Sequence, residues 1–326
     1  MRGIELTPEV PVAEIGALGA EAEEAGFDTA FCSSHYNNRN PFVALDRVAT
    51  RTSDIQVGPG VANPYETHPV TLASQAATLQ EASDGRAVFG IGAGDRSTLE
   101  NLGVEHERPL RRVLESFQVA RDLWDGERVQ HDGTFVARDA GLNFDVDSIP
   151  VYVGAQGPQM LRMAAKHADG VLVNAAHPKD VSWAREQIDD GLDARPEDRD
   201  ELDVVVYASV SVAESETAAR RAAKPAVAFI TAGASEHVQQ RHGIDTDLAD
   251  SIGATIGRGA FSEAESLVSD RMLDAFAITG TPDTAAASFE ALLEYADGIV
   301  AASPLGPEIR ESVSLVGAAL DRAETE

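Results

Sequence analysis

Cysteine is almost missing from this chain. Cys32 is the only one in 326 residues, so an intrachain disulfide is excluded, and a lone thiol of this kind reads as a small buried hydrophobe. Lysine is nearly as scarce, limited to Lys166, Lys179 and Lys224, so the remaining basic residues are arginines. No apolar run approaches the roughly 20 residues that would span a bilayer. The N-terminus reads Met-Arg-Gly-Ile-Glu-Leu and then turns acidic, without the apolar stretch and small-residue cleavage site of a secretory signal. A soluble cytoplasmic protein is expected. HExxH and CxxC spacings are missing, and His167, His177, His237 and His242 are scattered, so no metal is expected. There is no Gly-x-Ser-x-Gly elbow and no phosphate loop ending in Gly-Lys-Ser/Thr.

What the chain has in excess is negative charge. Asp and Glu number 54 against 26 Lys and Arg, a net charge of −28. Such a surface repels nucleic acid and anionic membranes, and neither partner is expected. The self-repulsion also works against the compact state, unless salt screens it: the Debye length falls to about 3 Å at 1 M. With so little lysine and acids spread evenly along the chain, the balance reads as adaptation to a salt-rich, halophilic cytoplasm.

Short apolar runs alternate with helical patterns from end to end. Strands are expected at Gly3–Leu6, Thr29–Cys32, Ile55–Gly58, Ala87–Ile91, Pro150–Gly154, Gly170–Val173, Val204–Val212 and Gly298–Ala302. Helices are expected at Pro11–Ala25, Phe42–Thr50, Val70–Ala82, Leu110–Trp124 and Gln159–His167. Gln130–Phe135 reads as a hairpin around an Asp-Gly turn. Ala226–Asp270 reads as an extended helical insertion before the last strand. Eight β-α units in a chain of this length fit an α/β TIM barrel, (β/α)8, spanning 1–326 as one domain, better than a doubly wound open sheet.

In a barrel the chemistry collects where the strands end. Glu5 lies at the end of the first strand. Ser33-Ser34-His35 follows the second, Gly58-Pro59-Gly60-Val61-Ala62-Asn63 the third and Gly92-Ala93-Gly94-Asp95 the fourth. Gly154-Ala155-Gln156-Gly157 follows the fifth, Asn174-Ala175-Ala176 the sixth and Ser303-Pro304-Leu305-Gly306 the eighth. The Gly90–Gly94 triplet comes too late for a first-unit dinucleotide fingerprint and has no acidic residue about 20 positions on. Gly154–Gly157 opens a helix, so its free backbone N–H groups suit an anion. Taken singly, each segment also has an ordinary use: Glu5 can pair with an arginine, His35 can be structural, and the glycines can be tight turns.

Together these segments carry a resemblance. Ser33-Ser34-His35-Tyr36-Asn37-Asn38-Arg39-Asn40, Val57-Gly58-Pro59-Gly60-Val61-Ala62-Asn63-Pro64-Tyr65, Gly90–Asp95, Val153–Leu161 and Ala302–Pro307, in that order, resemble the methylenetetrahydromethanopterin reductases. These belong to the bacterial-luciferase-like superfamily and use coenzyme F420, an 8-hydroxy-5-deazaflavin. The resemblance implies a luciferase-like barrel that passes hydride between the deazaflavin C5 and the methylene group of a tetrahydromethanopterin or tetrahydrofolate. It implies Glu5 and Asp95 as the catalytic pair: two adjacent carboxyls share a proton, and Glu5 gives it to the pterin nitrogen. For the coenzyme it implies Ser33, His35, Gly60, Val61, Ala62, Asn63 and Gly94. Its phosphate falls to Gly154, Ala155, Gln156 and Gly157, with Asn174, Ala175 and Ala176. A non-prolyl cis peptide is implied at Gly60–Val61, and a homodimer or homotetramer as the assembly. The sequence departs from the pattern at Ser34, where relatives commonly carry an aspartate, so His35 lacks the carboxylate that would orient it. Open alternatives are another F420-dependent dehydrogenase, an FMN-dependent monooxygenase and a non-catalytic binding barrel.

Overall fold

The structure is a computed structural model that describes residues 1–325. It divides into two compact units.

The first unit comprises Met1, Gly3–Val173 and Glu186–Val205. Its elements in chain order are β1 (Arg2–Glu5), α1 (Val12–Glu24), β2 (Thr29–Cys32), α2 (Pro41–Ala49), β3 (Gln56–Pro59), α3 (Pro69–Ala82), β4 (Phe89–Ile91), α4 (Arg96–Asn101) and α5 (Pro109–Trp124). There follow β5 (Val129–Asp132), β6 (Val136–Ala140), β7 (Val151–Ala155), α6 (Pro158–His167) and β8 (Gly170–Asn174). β1, β2 and β3 pair in parallel, with Gly3 opposite Thr29 and Ala30 opposite Val57. Bridges Val57–Ala87 and Ala62–Ile91 carry the sheet to β4, which pairs in parallel with β7, and β7 with β8. Strands buried on both faces are written as nearly continuous apolar runs, and β2 (Thr-Ala-Phe-Cys) is buried throughout. Cys32 is a buried free thiol, and burial followed by the charge of Glu5 pushes it well above the usual thiol range.

Local signals set the helix starts. Asn40 Oδ1 accepts Phe42 N–H at 3.0 Å ahead of Pro41, and His68 Nδ1 accepts Val70 N–H at 3.2 Å ahead of Pro69. The expected hairpin is β5–β6, antiparallel, with a bulge between Val129 and His131. It is held from α5 by Glu115, whose carboxylate accepts the Thr134 N–H (2.7 Å), the Thr134 hydroxyl (2.8 Å) and an Arg111 N–H, with His131 Nε2 at 3.1 Å. Burial alone would raise this carboxyl. These donors outweigh it and hold the group at about 2.

The second unit comprises Arg2, Asn174–Arg185 and the chain from Val206 onward. Here lie the start of α7 (Pro178–Leu192), most of β9 (Asp203–Val212), α8 (Glu216–Gly233), α9 (Glu236–Arg241), α10 (Thr246–Gly257), α11 (Phe261–Leu267), α12 (Asp270–Phe276), β10 (Ile278–Gly280), α13 (Pro282–Leu293), β11 (Gly298–Leu305) and α14 (Ile309–Ala323). β10 pairs in parallel with the end of β9, Ile278 opposite Val210. The eight strands expected from the sequence are present as β1, β2, β3, β4, β7, β8, β9 and β11. The strand β10 and the helices α4, α7, α13 and α14 were not expected.

The helical insertion extends beyond Ala226–Asp270 in both directions. A proline inside a helix lacks an N–H and crowds the preceding turn, and Pro225 is such a residue. Here it stands inside α8, whose Ala223, Val227 and Ala228 are buried with Ile252, Met272 and Leu273 in one apolar cluster. Packing of the apolar face overrides the local cost.

Candidate active site

The loops that follow β1, β2, β3 and β4 are tied to one another within the first unit. Arg39 N–H donates to Pro8 O at 3.2 Å, joining the loops after β2 and β1. Gly60 N–H donates to Cys32 O at 2.9 Å, and Ala62 N–H to Gly90 O at 2.8 Å. His106 Nε2 meets Ala93 O at 3.0 Å while its ring lies 5.0 Å from that of Tyr65. Asn101 Nδ2 reaches the Tyr36 hydroxyl at 3.5 Å, which ties α4 to the loop after β2.

Glu5, at the end of β1, is only 4% exposed. The Thr7 hydroxyl lies 2.9 and 3.0 Å from its two carboxyl oxygens. One hydroxyl hydrogen can serve only one of those oxygens at a time. A buried, held carboxyl at a strand end in a parallel sheet is equipped to give or take a proton at a fixed place. Asp95 is different: it is exposed, and its Oδ1 accepts Thr98 N–H at 2.8 Å as the N-cap of α4.

The Gly60–Val61 peptide is cis, as the resemblance implied. The Val61 side chain fits here because its neighbours are glycines. A Cβ on Gly92 would lie 2.6 Å from one Val61 methyl, and a Cβ on Gly154 would lie 3.3 Å from the other. Gly94 has φ +77°, and a Cβ there would lie 2.1 Å from Asn63 Nδ2, so this position admits only glycine. Asn63 is buried, and its side chain serves its own loop: Nδ2 donates to Glu66 Oε1 at 3.0 Å and Oδ1 accepts Tyr65 N–H at 2.8 Å.

Two residues in this ring escaped sequence reasoning. Glu66 is partly buried. Burial raises its pKa, while the charge of His35 and the Asn63 amide lower it. The charge of His35 thus reaches a carboxylate on the loop after β3. Arg112 of α5 donates twice to Pro64 O, with Nη2 at 2.8 Å, and its guanidinium lies 5.2 Å from the Tyr65 ring centroid. No spacing in the chain links Arg112 to Pro64. The only local hint of Glu66 is that it directly follows Asn-Pro-Tyr.

The Ser33 hydroxyl is buried and has no hydrogen-bond partner among the described residues. Such an atom calls for an acceptor or donor from outside the chain. Gln156 and Gly157 are exposed, and Gly157 precedes α6 without a side-chain cap. Asn174 is exposed, Ala175 half-buried and Ala176 buried, and all three lie in the second unit. A hollow of about 730 Å³, lined by Thr52, Ser53, Asp54, Asp84 and Arg86 among others, sits at the opposite ends of the strands, away from these loops. Among the described residues no group of three His, Cys, Asp or Glu side chains is placed to hold a metal, and no helix is long and apolar enough to cross a membrane.

Residues 2–300 match the luciferase-like monooxygenase family. The chain is 42% identical to the 5,10-methylenetetrahydromethanopterin reductase of Archaeoglobus fulgidus, over 97% of both chains. It is 40% identical to the enzyme of the same name from Methanolobus tindarius, over 97% of this chain and 98% of that one. Among solved structures, the coenzyme F420 dependent tetrahydromethanopterin reductase from Methanopyrus kandleri is similar with a TM-score of 0.88 at 38% identity, covering 97% of this chain and 96% of that one. The fold is thus the TIM barrel expected from the β-α alternation, of the luciferase-like kind that the resemblance implied. With buried Glu5 and the cis Gly60–Val61 bulge in place, the chain belongs to the luciferase-like family, alongside the 5,10-methylenetetrahydromethanopterin reductases.

Proposed function

We propose that the protein is a coenzyme F420-dependent oxidoreductase that reduces 5,10-methylenetetrahydromethanopterin to its 5-methyl form. The observation that carries this reading is the near full-length similarity, 42% over 97% of both chains, to a reductase of that name. The orphaned Ser33 hydroxyl and the glycine-flanked Val61 wedge fit a planar polar ring held against the loops after β2 and β3.

When bound, the reduced deazaflavin supplies the hydride that the methylene carbon accepts. The chain supplies position and a proton. As the bridge opens, the bond between the one-carbon unit and one pterin nitrogen breaks, and that nitrogen takes a proton from the Glu5 carboxyl. Asp95, at the start of α4, is the second carboxyl of the catalytic pair. Ser33, His35, Gly60, Val61, Ala62, Asn63 and Gly94 would line the ring. Gly154, Ala155, Gln156 and Gly157 would place the coenzyme's phosphate at the start of α6, and Asn174, Ala175 and Ala176 would present backbone groups to it.

Anaerobic bleaching assays test this directly. Reduced coenzyme F420 is expected to be oxidised rapidly on addition of 5,10-methylenetetrahydromethanopterin, and more slowly or equally with the tetrahydrofolate analogue. Oxidation coupled only to an alcohol or sugar phosphate, or preferential binding of FMN, would place the protein elsewhere in the superfamily.

The charge of −28 supports a halophilic protein, and we read the assembly as a homodimer or homotetramer. Melting temperature should rise between about 0.1 M and about 2 M potassium chloride as repulsion is screened. Light scattering in the high-salt sample should give a multiple of the 34.5 kDa chain. A flat or falling melting temperature refutes the first, and the mass of a single chain refutes the second.

A further inference from the structure

Where β8 passes into α7, the second unit holds a polar cluster that the reaction described above does not use. Asp180, in the first turn of α7, has a side chain only 13% exposed. Its Oδ2 accepts from His242 Nε2 at 2.7 Å, and its Oδ1 accepts from Arg241 Nη1. Both partners stand at the C-terminal end of α9, in the helical insertion. The Arg241 guanidinium lies 4.7 Å from the Trp183 ring centroid, and the His242 ring meets Phe276 of α12 at 5.9 Å. His242 is 5% exposed, so this corner of the insertion is anchored on Asp180 from two sides.

The other neighbour of His242 is His177, whose ring lies 4.9 Å away and nearly edge-on. His177 Nδ1 accepts the Lys179 N–H at 3.1 Å. A neutral imidazole has one acceptor and one donor nitrogen, so this bond assigns the hydrogen to Nε2. Burial, and then the positive charge on the His242 side, push the His177 pKa down, so the ring is neutral near pH 7. His177 is half-buried, and no hydrogen bond from its Nε2 is made among the described residues. The result is an N–H donor on a half-buried ring, held in one tautomer by its own loop and in one orientation by the cluster behind it. It directly follows Ala176.

We propose that His177 is a further ligand-contacting residue, its Nε2–H donating to the phosphate of the coenzyme, and that Asp180, through His242 and Arg241, is the positioning residue that aims it. The proposal rests on the reading that the loop after β8 holds that phosphate.

The test compares two ligands: coenzyme F420 and the deazaflavin nucleoside that lacks the phosphate. Wild type is expected to bind the phosphate-bearing form more tightly. His177→Ala should lose about ten- to a hundredfold in affinity for coenzyme F420, the range for a hydrogen bond to a charged group, and nothing for the phosphate-free form. His177→Gln, which keeps an N–H donor, should recover part of the loss. Asp180→Asn should move affinity in the same direction by less, raising KM for the coenzyme with kcat unchanged. Equal weakening for both ligands, or no weakening for either, would overturn the proposal. If wild type itself fails to distinguish the ligands, the phosphate reading beneath it falls first, and the two failures are told apart.

Discussion

Replacing Glu5 by Gln should lower turnover by about 10²–10⁴, the usual worth of positioned acid catalysis, while leaving affinity for coenzyme F420 near its wild-type value. Glutamine matches the size of glutamate and can still accept the Thr7 hydroxyl that lies 2.9 Å from Oε1. It cannot release an acidic proton. Because Glu5 is 4% exposed, solvent has poor access to deliver that proton in its place. The loss should fall on kcat and on kcat/KM alike, because the proton moves only as the bridge opens. Asp95→Asn should cost less, since asparagine caps a helix as well as aspartate does and α4 should survive the change. Steady-state kinetics on both variants, with coenzyme titration as the folding control, separates the outcomes. Near-normal turnover by Glu5→Gln would show that the proton comes from elsewhere, even with the family assignment intact.

Gly157→Leu should weaken coenzyme F420 by about ten- to a hundredfold, with little change in melting temperature. The position allows an unusually clean separation. Gly157 has φ −88°, an ordinary value for any residue, and a Cβ there would meet nothing within 4 Å. The fold therefore has no reason to resist leucine. What leucine would cover is the start of α6, where the first-turn N–H groups have no acceptor inside the helix and attract an anion. Fluorescence titration and a thermal melt on the same preparation are sufficient. If the variant binds normally, the phosphate lies elsewhere and the role of Gly154–Gly157 returns to that of a β-to-α turn.

Much of the fold was legible in local pattern. Apolar runs such as Thr-Ala-Phe-Cys and Gly-Ile-Val-Ala-Ala marked strands buried on both faces. Asn40-Pro41 and His68-Pro69 sat at helix starts, and Asp132-Gly133 sat in the turn of the hairpin. Where local pattern misled, a tertiary term won. The insertion was expected to begin at Ala226, whereas α8 begins at Glu216 and runs through Pro225, because its apolar face packs into the cluster of Ile252 and Met272. β10, three residues long, has too little length to show a period and exists because β9 offers it a partner at Val210. α4 is six residues long and rests on its Asp95 cap rather than on an apolar stripe.

By itself, then, the order of residues determined the β-α alternation and the strand-end positions of Glu5, Gly60–Val61 and Gly154–Gly157. These depend on periodicity and on residue type, which are local properties. Tertiary structure alone decided which groups meet: Arg112 with Pro64 and Tyr65, and Asp180 with Arg241 and His242. Contacts across dozens of residues leave no period to read, and hydrogen bonds and ion pairs act only over a few ångströms, so such pairings exist only once packing has brought their partners together.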